Sequence, residues 1–467
     1  MNQQPLSEGD AVSKGDILAL MFELFPWARS YQQTPVRDYA KAAFDVAPLS
    51  PDCTIRHHAM SLLRSWIGRA ARLRGFAEPQ VSRFETEIMA FPVMQTGPHL
   101  HLLIEPDAFY THLFSLMGLN AHRRQSYISY ACSTVKFVER GRKGPAWLNL
   151  DGQAINVFGL SRRKMIPYSI LAKNDRYGFR LQNADLPGHA PEAIVRLMRI
   201  LPSSDFPSAA EAIKNANRCL WDHYFKGCAD FLQLDDDDVA DLVIAHLCDE
   251  QSWLRLRLIE DRTLASEVLA SIDQLAGTAW RGWLKNSTHF FWGCDDGKLF
   301  PLWLDGAFLR ASTQAKLVIP FSATSLVDAL RSRTIVPNLL LMFIVTSMLP
   351  GVRVLGGSRH VVYYPLMRYA VCNALRKNGA DRSLLVTLSR DVRPGAWGHR
   401  VISAAAEPFS LIEEAGISAL LDDYGGLNLE EACGPLSGFT QDPLWAGLAE
   451  AFASGKASPA SAYWALS

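Results

Sequence analysis

Apolar residues recur at helical spacing through the first part of the chain, most clearly in residues 59–74 (AMSLLRSWIGRAARLR). Residues 1 to about 85 therefore read as helical. Residues 87–97 (EIMAFPVMQTG) are a short apolar strand running into a turn. A helical pattern follows, with Pro106 and Asp107 placed as at a helix N-terminus. A strand feeding a loop that feeds a helix is one half of a Rossmann-type unit. From 127 to 170 β-branched and aromatic residues partly alternate, which predicts strands, with loop chemistry at 141–153. Residues 191–201 read as a helix. So does most of 208–277, where Leu264, Val268, Leu269, Ile272 and Leu275 line one helical face. Two Asp-Gly pairs make 288–310 the clearest hairpin. Residues 326–330 open a short helix. Residues 337–364 read as apolar helix, strand, glycine turn and helix again. The last hundred residues read as helical pieces divided by Gly and Pro.

This order predicts an α/β protein with one hydrophobic core, and the segment 337–370 marks a nucleotide-binding type of fold. Three stretches are expected: a helical segment at 1–85, a Rossmann-like core at 86–390 with helical and hairpin insertions, and a helical segment at 391–467. No internal repeat or low-complexity segment interrupts them.

Charge and cysteine content narrow the function classes. The 47 basic and 47 acidic side chains balance, so bulk attraction to nucleic acid or to an acidic membrane surface is not expected. The eight cysteines form no CxxC pair, which predicts reduced, mostly buried thiols. The first residues lack a basic region followed by an apolar stretch, so no secretory signal is read there. The most apolar stretch, 335–352, is interrupted by Pro337, Asn338, Thr346, Ser347 and Pro350, and reads as buried strand or helix instead of a membrane span. A cytoplasmic location is the expectation.

Two loops carry candidate chemistry. The first is Thr96-Gly97-Pro98-His99-Leu100-His101, after a strand and before a helix. There, loop amides and a helix N-terminus can face phosphate, and two imidazoles can stabilise a leaving phosphate. The same pair also fits two structural histidines in a turn. A metal role lacks a third ligand at the usual spacing. The second loop is Gly356-Gly357-Ser358-Arg359-His360. Its glycines allow close backbone approach, and its donors suit a carboxylate or phosphate. A plain strand-to-helix turn is the alternative. Two further runs read as structural. Residues 159–165 form a solvated basic loop, and Asp235–Asp238 cap a helix and complement its dipole. Walker, GxSxG, HExxH and EF-hand patterns do not occur.

The Thr96–His101 loop resembles a degenerate His-x-Gly-His signature of class I aminoacyl-tRNA synthetases. Taken together, GPHLHLLIEPDAFYTHLFSL and PNLLLMFIVTSMLPGVRVLGGSRHVVYYPLMRYA resemble, in order, two segments of the bacillithiol biosynthesis cysteine-adding enzyme family, across roughly residues 85–370. The resemblance implies a Rossmann-like core related to class I synthetases, with inserted connective elements. It also implies a ligase joining an amino acid, cysteine in the family, to a small amine or other nucleophile. By position, Thr96, Gly97, His99, His101, Gly356, Gly357, Ser358 and Tyr364 would line the site, with Asn338 near it. His99, His101 and Arg359 would carry the chemistry, and His360 would join the binding groups. ATP with Mg is the implied cofactor, and no stable metal is expected. Small molecules are the expected partners, without nucleic acid or membrane, and a homodimer is compatible. The chain departs from the family pattern where paired glutamines give way to His99 and His101, and where Arg359 and His360 replace an acid. Those changes favour a carboxylate or phosphate over an ammonium group. A ligand-binding or scaffold role on the same fold, or an ATP-independent condensation or rearrangement, are the alternative expectations.

Overall fold

A computed structural model describes residues 12–47, 52–185, 191–312, 316–379, 381–391 and 395–457. Residues 1–11, on which much of the reading of the N-terminus rests, lie outside these ranges.

The architecture is mixed α/β. Five strands form a parallel sheet: β1 (Val93–Gln95), β2 (Ser126–Tyr130), β3 (Asp230–Leu234), β4 (Arg353–Gly356) and β5 (Gly395–Trp397), in the spatial order β5-β4-β1-β2-β3. Every neighbouring pair is parallel, with Met94 opposite Val354 and Ile128 opposite Leu232. Because side chains alternate along a strand, the sheet divides the interior. Val93, Tyr127, Phe231 and Leu355 join one apolar cluster, and Met94, Ile128, Leu232 and Val354 join the other. The expected single core is thus two cores, one on each face, as a parallel sheet covered on both sides requires.

Helices Pro106–Ala121 and Ala209–Tyr224 contribute to the first cluster, and helices Thr54–Leu73, Glu78–Ala90 and Asp236–Cys248 to the second. The chain builds outward from β1 to β3 on one side, then returns to place β4 and β5 on the other. The reversal between β1 and β4 is a topological switch point, where open α/β sheets bind ligands at the carboxyl ends of their strands.

The hairpin expected at 288–310 grows into a five-stranded antiparallel sheet, a half-barrel. Its spatial order is Val318–Pro320, Phe308–Ala311, Lys298–Asp305, Phe291–Asp295, Ile335–Pro337. A smaller antiparallel sheet joins Trp147–Leu150, Gln153–Asn156 and Gln182–Asn183. The apolar segment opens with the strand Ile335–Pro337, which its pattern does not predict, and continues as helix Leu339–Phe343, the π-helical turn Ile344–Met348 and then β4, in the predicted order of helix and strand. No described helix is long and apolar enough to cross a membrane.

Two strands of the parallel sheet lie in stretches read as helical. β3 sits inside 208–277, and β5 sits inside the C-terminal segment, so that segment belongs in part to the core sheet. The basic run at 159–165 contains a short helix, Arg162–Met165. The acidic run behaves as its sequence predicts: Asp235 caps the helix Asp236–Cys248 through a reciprocal bond with Asp238. It also holds buried Lys214, whose Nζ lies 2.8 Å from Asp235 Oδ1 and 3.0 Å from Asp238 Oδ2. All eight cysteines are unpaired, but only Cys53, Cys372 and Cys433 are fully buried.

Candidate functional site

The carboxyl end of β1 is fixed by its own last residue. Buried Gln95 donates from Nε2 to the Gly398 carbonyl (2.9 Å) and to Ser115 Oγ (3.0 Å), and its Oε1 accepts from the Gly97 amide. Thr96 donates from both backbone and hydroxyl to the Leu355 carbonyl. The loop then runs beside the extension of β2, with the Leu100 amide on the Cys132 carbonyl. Buried Asn217 accepts from the Leu103 amide and donates to the His101 carbonyl, which clamps the far side of the loop. His99 and His101 are therefore held by backbone that is itself pinned from three directions.

A polar cleft opens over this loop. Its walls include Gly97, His99, His101, Glu139, His399 and Arg400. The Oε1 of Glu139 lies 2.6 Å from His99 Nδ1 and 3.4 Å from His101 Nε2. The two rings are nearly parallel, 16° apart, with centroids separated by 6.2 Å. His99 is half exposed and His101 is buried, so the cluster has one face to solvent and one to the interior. Burial pushes the Glu139 carboxyl up, but hydrogen bonds and charge from His101 and His99 outweigh it and hold the group well below the ordinary carboxylate range. Glu105, at the back of the cleft, is raised by burial.

The opposite wall comes from β5. His399 is buried, with Nδ1 2.8 Å from the Thr111 hydroxyl. Burial first, and then Arg400, depress its imidazole far below the ordinary value, so it is neutral near pH 7. Asp107, in the first turn of its helix, is 3.3 Å from Lys143 Nζ and also pairs with Arg400. These groups can hold a small anion or a metal ion and can hydrogen-bond a polar substrate. The cavity of about 40 Å³ has room for an ion and a water or two, not for a whole nucleotide.

No protein-family model matches this chain, and no curated protein matches it either. What can be said of its chemistry therefore rests on its own residues.

The residues singled out in the sequence fall into two groups. Gly97, His99 and His101 line the cleft. Gly97 and Gly357 also approach the same side chain: a Cβ on Gly97 would lie 2.2 Å from His399 Cβ, and one on Gly357 would lie 3.4 Å from His399 Cδ2. The His399 ring thus occupies the space that the two glycine turns leave at the switch point.

The remaining candidates are engaged elsewhere. Thr96 is buried against Leu355. Gly356 makes room for His360, whose Cγ would be 2.2 Å from an added Cβ. His360 is fully buried among Phe343, Tyr363 and Tyr364. Tyr364 shares a hydrogen bond of 2.5 Å with Ser347. The Ser358 carbonyl accepts from Trp445, and Arg359 forms a two-point pair with Asp442, at 2.5 and 3.0 Å. Asn338 caps the helix Leu339–Phe343 and donates to the Thr288 carbonyl. None of these lines the cleft.

The groups that sequence reasoning did not single out are Glu139, Lys143, His399 and Arg400. Glu139 ends a stretch read as strand, and the other three sit in stretches read as loop or helical pieces. His399 alone carries a local signal, since it follows a Gly-Ala-Trp-Gly run that could have been read as strand and turn.

Proposed function

We propose that this chain is an enzyme of small-molecule metabolism, working at the carboxyl edge of a Rossmann-like core related to that of class I synthetases. On this reading it is a ligase that joins an amino acid to a small amine or other nucleophile, with ATP and Mg supplying the energy. The observation that carries it is the polar cleft at the switch point of the parallel sheet, where such folds bind ligands. His99 and His101 would stabilise developing negative charge, and Arg400 and Lys143 would attract a carboxylate or phosphate. Nucleotide entry requires the cleft to widen, because the cavity holds only about 40 Å³.

A second reading is favoured by one arrangement. His399 fills the gap beside Gly97 and Gly357, and Arg359 is committed to Asp442. An ATP-independent condensation or rearrangement of a small anionic substrate needs no nucleotide subsite there. Calorimetry with ATP and Mg, in the presence of amino-acid pools, separates the two. Binding together with amino-acid-dependent pyrophosphate or ADP release supports the ligase. Absence of nucleotide binding under all amino-acid additions overturns it.

A further inference from the structure

Three donors converge at the loop after β1: a nitrogen of His99, a nitrogen of His101 two residues on, and a carboxylate oxygen of the sequence-distant Glu139, all within 4.8 Å of one another. We propose that they form a binding site for a divalent transition-metal ion of the zinc type, with an open position toward the cleft.

The chemistry of the set favours such an ion. Two imidazoles and one carboxylate match the three-ligand sites of zinc enzymes and the facial triads of non-haem iron, which keep one or more positions for water or substrate. Imidazole selects against Mg and Ca, which take oxygen donors.

The spacing agrees as well. Ligands 2.0–2.1 Å from a tetrahedral ion lie roughly 3.3 Å apart. The His101 Nε2 to Glu139 distance is already 3.4 Å, and the His99 Nδ1 to Glu139 distance is 2.6 Å. Loading an ion therefore replaces the His99–Glu139 hydrogen bond and opens that pair by about 0.7 Å. His99 is 47% exposed, so it is free to make that adjustment. His101 is fixed: only 8% of its side chain is exposed, and its carbonyl is clamped by Asn217.

One ring nitrogen of His101 is left open for an outer-shell partner that the structure does not supply. Nδ1 of His101 is buried and has no hydrogen-bond partner among the described residues. Metal-bound histidines donate from their second nitrogen, most often to a carboxylate or carbonyl. Glu105 is close enough to interact electrostatically with His101, and it lines the same cleft. The cleft's cations do not compete for Glu139, because Lys143 and Arg400 are both paired to Asp107. The cavity suits an ion with its water.

This site does not rest on the ligase reading, and its test needs no nucleotide. The full chain, stripped with a chelator, is titrated with Zn²⁺ by calorimetry and with Co²⁺ by visible absorption. One ion per chain is expected, with a Co²⁺ spectrum of low coordination number and no competition from millimolar Mg²⁺. His99→Ala, His101→Ala and Glu139→Gln should each weaken Zn²⁺ binding by roughly a hundredfold or more, with an unchanged circular dichroism spectrum. X-ray absorption at the zinc edge of the wild-type protein counts imidazole ligands without any variant, and two are expected. Three outcomes would overturn the proposal: no Zn²⁺ binding by the wild type, a zinc environment without two imidazoles, or folded variants that all bind as the wild type does.

Discussion

The turn after β1 spends residues 96–105 before its helix begins at Pro106, whereas the turn after β4 spends only 357–359 before His360 starts the next helix. Both leave the same edge of the sheet and both carry glycine; histidine lies within the long turn and immediately after the short one. In the long turn His99 and His101 project over the edge toward Glu139, because the extra residues carry the chain along the flank of β2. In the short turn the helix starts at once, and its first residue is drawn inward among Phe343, Tyr363 and Tyr364. Identical residue types thus acquire opposite roles through loop length. A glycine next to a polar side chain after a strand predicts close approach, but the approaching group can be the protein itself. At Gly97 it is His399, and at Gly356 it is His360.

The largest test of that contrast is at position 360. If His360 is a core residue, His360→Ala should lower stability by about 2–5 kcal/mol, as other large-to-small core changes do. Its urea midpoint should fall with little change in slope. His99→Ala should lower stability by no more than about 0.5 kcal/mol, the ordinary range for an exposed position. A small effect at 360 would mean that its ring is not packed as described.

The same position has a pH signature. Burial depresses the His360 imidazole to about 3, against an ordinary value of 6.5. Between those values the unfolded chain takes up a proton that the folded chain refuses. Stability is therefore present above about pH 6.5 and is lost as pH falls toward 3. His112 and His246, also held near 3 by burial, add to the slope. His360→Phe keeps an aromatic ring in the cage and removes one titrating group. Its denaturation curves between pH 7 and 4 should show a shallower acid loss than the wild type. An unaltered slope would show that His360 does not carry it.

An intermediate effect is expected at Gly97. An alanine there places a carbon 2.2 Å from His399 Cβ and 2.5 Å from Cγ, so the backbone carrying His399 must shift and not the ring alone. Overpacking of this kind costs about 1–3 kcal/mol. The cost should fall substantially in the background of His399→Gly, which removes Cβ as well as the ring, whereas His399→Ala keeps the 2.2 Å contact and should relieve little. A double-mutant cycle by chemical denaturation reads that coupling directly. Additive effects would break the link drawn between the two turns.

What the sequence discloses follows the same division. The acidic run at Asp235–Asp238 declares a helix cap because capping is local. The glycine turn after β4 is visible because a continuous apolar run ends in glycines. β3 and β5 escape notice for a physical reason. β5 is three residues long, too short to show any period, and its strand conformation exists only because it pairs with β4. β3 is a five-residue strand, DFLQL, with only three apolar positions, lying between two helices, where so short a pattern cannot separate strand from helix. With β5 unseen, His399 and Arg400 had no place at the sheet edge. Glu139 is 38 residues beyond His101 and meets it only through the fold. The candidate loop was legible, but its third donor and its opposite wall were not.

The smallest effect separates contact from consequence. Arg359 holds Asp442 through two hydrogen bonds, at the N-cap of the helix Pro443–Ala453. The arginine is half exposed, so water screens the pair, and such bridges contribute at most about 1 kcal/mol. Arg359→Ala should therefore shift the denaturation midpoint only slightly. Asp442 also caps its own helix by accepting from the Leu444 amide, an interaction the substitution leaves intact. The sharper readout is binding. If the short turn is structural, Arg359→Ala should leave Zn²⁺ affinity and any small-anion affinity at the cleft unchanged, while Arg400→Ala weakens the anion. A loss of ligand affinity in Arg359→Ala equal to that in Arg400→Ala would return the short turn to the site. It would also mean that the pairing with Asp442 is released when substrate enters.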